Sequence, residues 1–299
     1  MERITPDATG PRPTAVLDAP SNLGLRPLAP DTVPGCYKAP WALRDTGLLE
    51  RIGAADAGAL VPPRYVATWE PGDGVRNGPA IASYARALAD RVTKLRADGA
   101  FPVLLGGDCS ILLGPALALR HAGRYGLAYL DAHADFRHLG NSPHVGAAAG
   151  EAVALVTGRG DDYLTDLDGL RPYVRDEDVI LLGVRDEEDL RDVEGSGLAY
   201  VPGDRLVRDA ERAAELLARE ELDGFWIHLD ADVLDPSVLP AVDSPAPGGL
   251  QPDELVQLVR GLVRLPGAAG LQVTIFDPDL DESGEQAALL ADVLVAALE

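Results

Sequence analysis

Lysine is almost missing from this chain of 299 residues; Lys38 and Lys94 are the only two. Arginine carries nearly all of the positive charge, a bias of composition rather than of function. Basic residues are scarce as a whole, 26 Lys+Arg against 48 Asp+Glu, for a formal net charge of −22. A surface of that sign argues against a general binder of nucleic acid or of an anionic membrane, since both need a positive face. Cysteine is scarce too, and Cys36 and Cys109 are too few for a disulfide framework. No apolar run approaches the roughly 20 residues needed to span a bilayer. The stretch Met1 to Pro13 is polar and Pro-rich and lacks the apolar centre of a signal peptide, so a cytoplasmic location is expected. Internal repeats and dividing linkers are also lacking. Residues 1–299 are expected to form one domain, with 1–13 flexible.

What the chain does have is an ordinary globular balance, 46% hydrophobic and 25% charged, ample for a buried core. Short apolar runs recur at Thr14–Leu17, Val103–Leu105, Leu127–Leu130, Val179–Val184, Ala199–Val201, Phe225–Leu229 and Leu271–Phe276. Each carries few charges, as strands buried on both faces do. Between them lie helical patterns. Ile81, Tyr84, Ala85, Leu88, Val92 and Leu95 repeat along one helix face, Leu255, Leu258, Val259 and Leu262 along another, and Leu289, Leu290, Val293 and Ala297 along a third. This alternation predicts an α/β fold, a mostly parallel central sheet with helices on both faces.

Three of the runs lead into chemistry. Val103–Leu105 is followed by Gly106-Gly107-Asp108-Cys109-Ser110, Leu127–Leu130 by Asp131-Ala132-His133-Ala134-Asp135, and Phe225–Leu229 by Asp230-Ala231-Asp232-Val233-Leu234-Asp235-Pro236. Ligands of open parallel sheets bind outside the carboxyl ends of strands, so the three clusters are candidates to converge. Asp131, His133 and Asp135 share a period of two, which projects them to one side. Asp230 and Asp232 repeat that spacing. Four carboxylates gathered without a cation would repel one another and raise their pKa values. Two divalent ions held by bridging carboxylates remove the repulsion and activate water as a nucleophile. The plainer alternative is three separate turns or helix caps, where Asp is common.

The three segments, in that order, resemble the three motifs of the ureohydrolase family, which includes arginases and agmatinases. The resemblance runs from Ala15-Val16-Leu17-Asp18-Ala19-Pro20 to the last helix, and it includes Ser244-Pro245 and Gly248-Gly249 in the segment Pro240 to Leu250. It implies a three-layer α/β/α catalytic domain, a binuclear manganese centre, hydrolysis of a guanidino or amidino C–N bond, and a homotrimer or hexamer. Residue by residue, Cys109, Asp131, Asp135 and Asp230 match the ligands of the first metal, and Asp131, His133, Asp230 and Asp232 those of the second. Asp235, at the end of the third segment, is expected to hydrogen-bond the nucleophile. His144 looks like the family's proton-transfer histidine, with His138 as the alternative. Ser244 falls in the substrate-binding segment.

Two departures stand out. Cys109 occupies the place of a histidine ligand. A thiolate there is softer than imidazole, so zinc, iron or cobalt competes with manganese; an inert buried cysteine is the alternative. Ile275 occupies the place of the glutamate that receives the substrate guanidinium; Asp277 or Asp279 is the candidate replacement, with a role only in the turn at Pro278 as the alternative. That loss points to a modified guanidine, such as a hydroxyguanidine, over plain arginine; agmatinase, arginase or formiminoglutamase-like activity is the alternative. Outside the family, a metallophosphoesterase would need other motifs in another order and basic residues around them. A non-catalytic scaffold would need no stoichiometric metal.

Overall fold

A computed structural model describes residues 12–29, 32–206 and 210–299. Its centre is one eight-stranded sheet, all parallel, in the order β2-β1-β3-β8-β7-β4-β5-β6. The strands are β1 (Thr14–Ala19), β2 (Ala55–Ala59), β3 (Phe101–Gly106), β4 (Gly126–Leu130), β5 (Val179–Leu182), β6 (Ala199–Val201), β7 (Phe225–Asp230) and β8 (Ala268–Thr274). Every residue of β3, β4, β7 and β8 is buried. Helices therefore cover both faces of the sheet, giving the three-layer arrangement that the alternating pattern predicts.

The flanking helices begin where the sequence supplies helix starts. Pro252–Arg264 opens with Pro at its first turn and a capping box, in which the Gln251 amide donates to Glu254 Oε2 at 2.8 Å. It buries Leu255, Leu258, Val259 and Leu262 and packs on Glu285–Leu298. Gly78–Ala97 buries Ile81, Tyr84, Ala85, Leu88 and Val92 and packs on Leu113–Ala122. Among the described residues no helix is long and apolar enough to cross a membrane. The segment expected to be flexible, 1–13, lies outside the described residues except for Arg12 and Pro13.

The topology places the chemistry. β3, β8, β7 and β4 are adjacent and parallel, so their carboxyl ends lie side by side. Leu105 is in register with Val273, Val273 with Leu229, and Leu229 with Leu130. The next row along these strands is Gly106, Thr274, Asp230 and Asp131. The three motifs, far apart in sequence, are thus brought to one edge of the sheet.

Candidate metal centre

Each motif turns sharply as its strand ends, and the same device makes the turn. Asp108 accepts a hydrogen bond from the Ser110 amide at 2.9 Å, Asp131 from the His133 amide at 2.6 Å, and Asp230 from the Asp232 amide at 2.9 Å. These are side-chain-to-backbone turns, two residues forward in each case. The turn reading and the convergence reading are therefore both true: each aspartate caps its turn, and the turns meet. Gly107 permits a close approach of two backbones, because a Cβ there would lie 2.2 Å from the Ser21 carbonyl oxygen.

The side chains meet in two groups that share Asp131. Ligand atoms of Cys109, Asp131, His228 and Asp230 lie within 4.8 Å of one another, as do those of Asp131, His133 and Asp232. Cys109 Sγ donates to Asp230 Oδ2 at 2.9 Å. His133 Nδ1 is 3.0 Å from Asp232 Oδ2 and 3.4 Å from Asp131 Oδ1. Asp135, with a positive φ of 44°, lies apart from both groups on the cavity wall, where the Tyr129 hydroxyl donates to its Oδ2.

The electrostatics fit a cation. Burial pushes Asp131 and Asp230 well above the usual carboxylate range, and Asp232 adds repulsion to both. Burial raises Asp135 to about 7, against the Tyr129 hydrogen bond. Burial opposes charge on His133 as well, yet its contacts with Asp131 and Asp232 push it up to about 12, and its hydrogen bond holds Asp232 low. Without a metal, one imidazolium partly neutralises a buried carboxylate cluster. Oxygen, nitrogen and sulfur donors so arranged suit divalent ions. The expectation for Cys109 needs one amendment. Burial and then Asp230, Asp135 and Asp131 push its thiol pKa up, so a cation must arrive before it becomes a thiolate; its place at the start of a four-residue 3-10 turn, Cys109–Leu112, does not suffice.

Behind the ligands runs a buried chain of hydrogen bonds. Trp226 Nε1 donates to Gln272 Oε1 at 2.9 Å, and Gln272 Nε2 donates to His228 Nδ1 at 2.8 Å. His228 Nε2 faces Thr274 Oγ1 at 3.3 Å, and that hydroxyl lies 3.2 Å from Asp230 Oδ2. His228 also stacks on Tyr129, with ring centroids 4.0 Å apart. Sheet register produces this line: Tyr129 pairs with His228, His228 with Gln272, and Asp230 with Thr274.

Above the cluster lies a cavity of about 130 Å³, walled by Leu25, Arg137, Ala149, Gly150, Asp189, Asp243, Ser244 and Ile275. A larger cavity, about 670 Å³, adjoins Trp69 and the loop from His138 to Gly146 and contains none of the clustered ligands. Ser244 lines the smaller cavity. The other expected residues outside the ligand set, His144, His138, Asp235, Asp277 and Asp279, do not line it. His144 is exposed on its loop, while Ala149 and Gly150 face the cavity instead; His138 lines the larger cavity. Asp235 turns outward, where its carboxylate accepts from Ser237 Oγ at 2.5 Å and the Gly248 and Gly249 amides at 2.8 and 3.1 Å, which holds its pKa down at about 2. Asp277 is buried and does not line the cavity; it accepts from the Gly35 and Asp279 amides, both at 2.9 Å, and Asp279 pairs with Lys38. In each case a nearby backbone amide or ammonium group satisfies the carboxylate.

Sequence reasoning passed over Asp243. It is half-buried, and burial together with Asp232 pushes its pKa up to about 6. Its neighbour Ser244 was legible from the segment around Gly248-Gly249; a carboxylate one residue earlier was the available signal.

A buried two-group cluster with the donors of a divalent-metal site thus lies at the carboxyl edge of a parallel sheet. Comparison with known proteins gives the family. A family model described as "Arginase family" matches residues 27–298. The arginase of Bacillus caldovelox is 31% identical over 292 residues, covering 93% of this chain and 95% of that protein. Its native structure at pH 5.6 superposes with a TM-score of 0.85 at 30% identity, covering 96% of this chain and 98% of that one. The arginase structure from Bacillus subtilis gives 0.83 at 26% identity, over 96% and 98%. A formimidoylglutamase structure from the same species gives 0.72 at 22% identity, over 98% and 88%, a likeness of fold. The chain belongs to the arginase family.

Proposed function

We propose that the protein is a binuclear-metal amidinohydrolase that cleaves the C–N bond of a small guanidino or amidino substrate. The observation that carries this reading is the meeting of Cys109, Asp131, His133, Asp230 and Asp232 at the ends of β3, β4 and β7 beneath one cavity. Cys109, Asp131 and Asp230 would hold one divalent ion and Asp131, His133 and Asp232 the other, with Asp135 added to the first set and Asp230 to the second by the family resemblance. Such ions supply Lewis acidity and bring the pKa of a water molecule near neutrality. Manganese is the first candidate by family; the Cys109 sulfur brings zinc, iron and cobalt into competition.

The chain's own residues prepare the site. Tyr129 orients Asp135, and Thr274 orients Asp230. His133 must give up its proton to become a ligand. Leu25, Ala149 and Ile275 narrow the cavity with apolar walls and limit water. The small volume favours a compact reacting group.

The similar proteins are named arginases, which puts arginine first among substrates to try. The hydroxyguanidine reading rests on Ile275 alone. Agmatine and formimino compounds complete the panel. The deciding experiment is release of urea, hydroxyurea or ammonia from that panel by protein loaded with manganese, zinc, iron or cobalt. No product from any substrate with two metals bound sinks the reading. A homotrimer or hexamer is the assembly proposed from the family resemblance, and sedimentation of the purified protein tests it.

A further inference from the structure

We infer that Asp243 is the carboxylate that receives the positive charge of the substrate, in place of the group missing at position 275; this rests on the amidinohydrolase reading above. Ile275 lines the cavity and brings no charge. Outside the proposed metal ligands, Asp189 and Asp243 are the two carboxylates that line it. Asp189 is already engaged: its Oδ2 accepts from the Ala134 amide at 3.1 Å, and its Oδ1 lies 3.4 Å from Arg137 Nη2. Asp277 and Asp279, the expected replacements, are held by Gly35, by the turn itself and by Lys38. Asp243 meets no donor from another residue among those described, and it faces the cavity.

The backbone explains why it can substitute. The Asp277 amide donates to the Ala241 carbonyl at 2.9 Å, which ties the loop carrying Asp243 to the turn carrying Ile275. Residues 243 and 275 each lie two positions from that bond, on neighbouring segments, and both reach the same cavity. The carboxylate has moved from one lip of the cavity to the adjoining one. The ligand it selects is a planar cation, a guanidinium or amidinium, rather than a neutral urea-like group.

Guanidinium ion and urea are nearly isosteric and differ in charge, so they isolate this contact. Binding of each to manganese-loaded protein is measured by calorimetry for the wild type, Asp243→Asn and Asp243→Glu. For Asp243→Asn, guanidinium binding is expected to weaken about tenfold or more, the lower end for a truncated, partly exposed ion pair. Urea binding and metal content should stay unchanged, and Asp243→Glu should recover most of the guanidinium affinity. Equal weakening of both probes, no weakening of either, loss of a metal ion in Asp243→Asn, or no guanidinium binding by the wild type each overturns the assignment. Failure of the amidinohydrolase reading would be separate: wild type that binds guanidinium in an Asp243-dependent way yet hydrolyses nothing.

Discussion

The Nδ1 of His228 accepts a hydrogen bond from Gln272 Nε2 at 2.8 Å, and this contact decides which ring nitrogen carries the proton. The Trp226 indole can only donate, so Gln272 must turn its oxygen to Trp226 and its nitrogen to His228. The proton then resides on Nε2, facing Thr274, whose hydroxyl proton is left free for Asp230. His228 lies near the ligand group, but in this tautomer its Nε2 has no lone pair for a metal. It orients a ligand instead, as outer partners of metal sites do.

That arrangement has a pH consequence. Burial drives the His228 pKa down to about 3, against about 6.5 in an unfolded chain. A lowered histidine is neutral in the fold while the unfolded chain takes up a proton below 6.5. Its contribution is therefore intact above pH 6.5 and is lost progressively as pH falls toward 3. Denaturant unfolding of metal-free wild type and His228→Gln across pH 7 to 4 should show the wild type losing stability more steeply, by on the order of 1 kcal/mol or more. Parallel curves would refute it.

Metal uptake should release protons. His133, pushed up to about 12, holds one at neutral pH, and the Cys109 thiol holds another. Both must leave before either becomes a ligand, so metal affinity should rise with pH across the neutral range. Calorimetric titration in buffers of differing ionisation enthalpy counts the protons released. A count of zero at pH 7 would contradict the proposed ligand set.

Cys109 gives a spectroscopic handle. Cobalt-loaded protein should show a sulfur-to-metal charge-transfer band that vanishes in Cys109→Ser. In the metal-free protein the thiol is buried and protonated, so alkylation should be slow. Absence of the band in wild type would make Cys109 a packing residue.

Asp230 and Asp235 should behave oppositely, although they lie only five positions apart in one motif. Asp230→Asn should lose metal. Asp235→Asn should keep it, because Asp235 caps the loop around Ser237 and Gly248. The Asp235 pKa is depressed to about 2, so its support of that loop is present above about pH 4 and lost as pH falls toward 2. Elemental analysis, together with proteolysis of the loop at neutral pH, separates the two variants.

Most of the sheet was readable because its central strands are apolar on both faces. β3, β4 and β7 fall on expected runs, β3 extended by three residues and the other two by one each. β2 escaped because its sequence, Ala55-Asp56-Ala57-Gly58-Ala59, is an exposed edge without an apolar run. The motif aspartates were legible from their spacing, since spacing by two survives folding. The fates of His144, Asp235 and Asp277 were not. Each was decided by a loop's direction or by a backbone donor from a distant segment, neither of which leaves a local pattern. Asp243 was hidden for the same reason.

Ile275 holds a φ of +70°, a left-handed conformation that costs a β-branched residue about 1–2 kcal/mol. Its amide is bound to the Gly107 carbonyl at 2.8 Å, and the Phe276 amide to Thr274 at 2.9 Å. The turn thus dictates the backbone whatever side chain it carries. An occupant this ill-suited shows that the pocket's architecture and its selectivity are separable properties. Position 275 is a socket into which a different chemical preference can be fitted while the frame around it stays as it is.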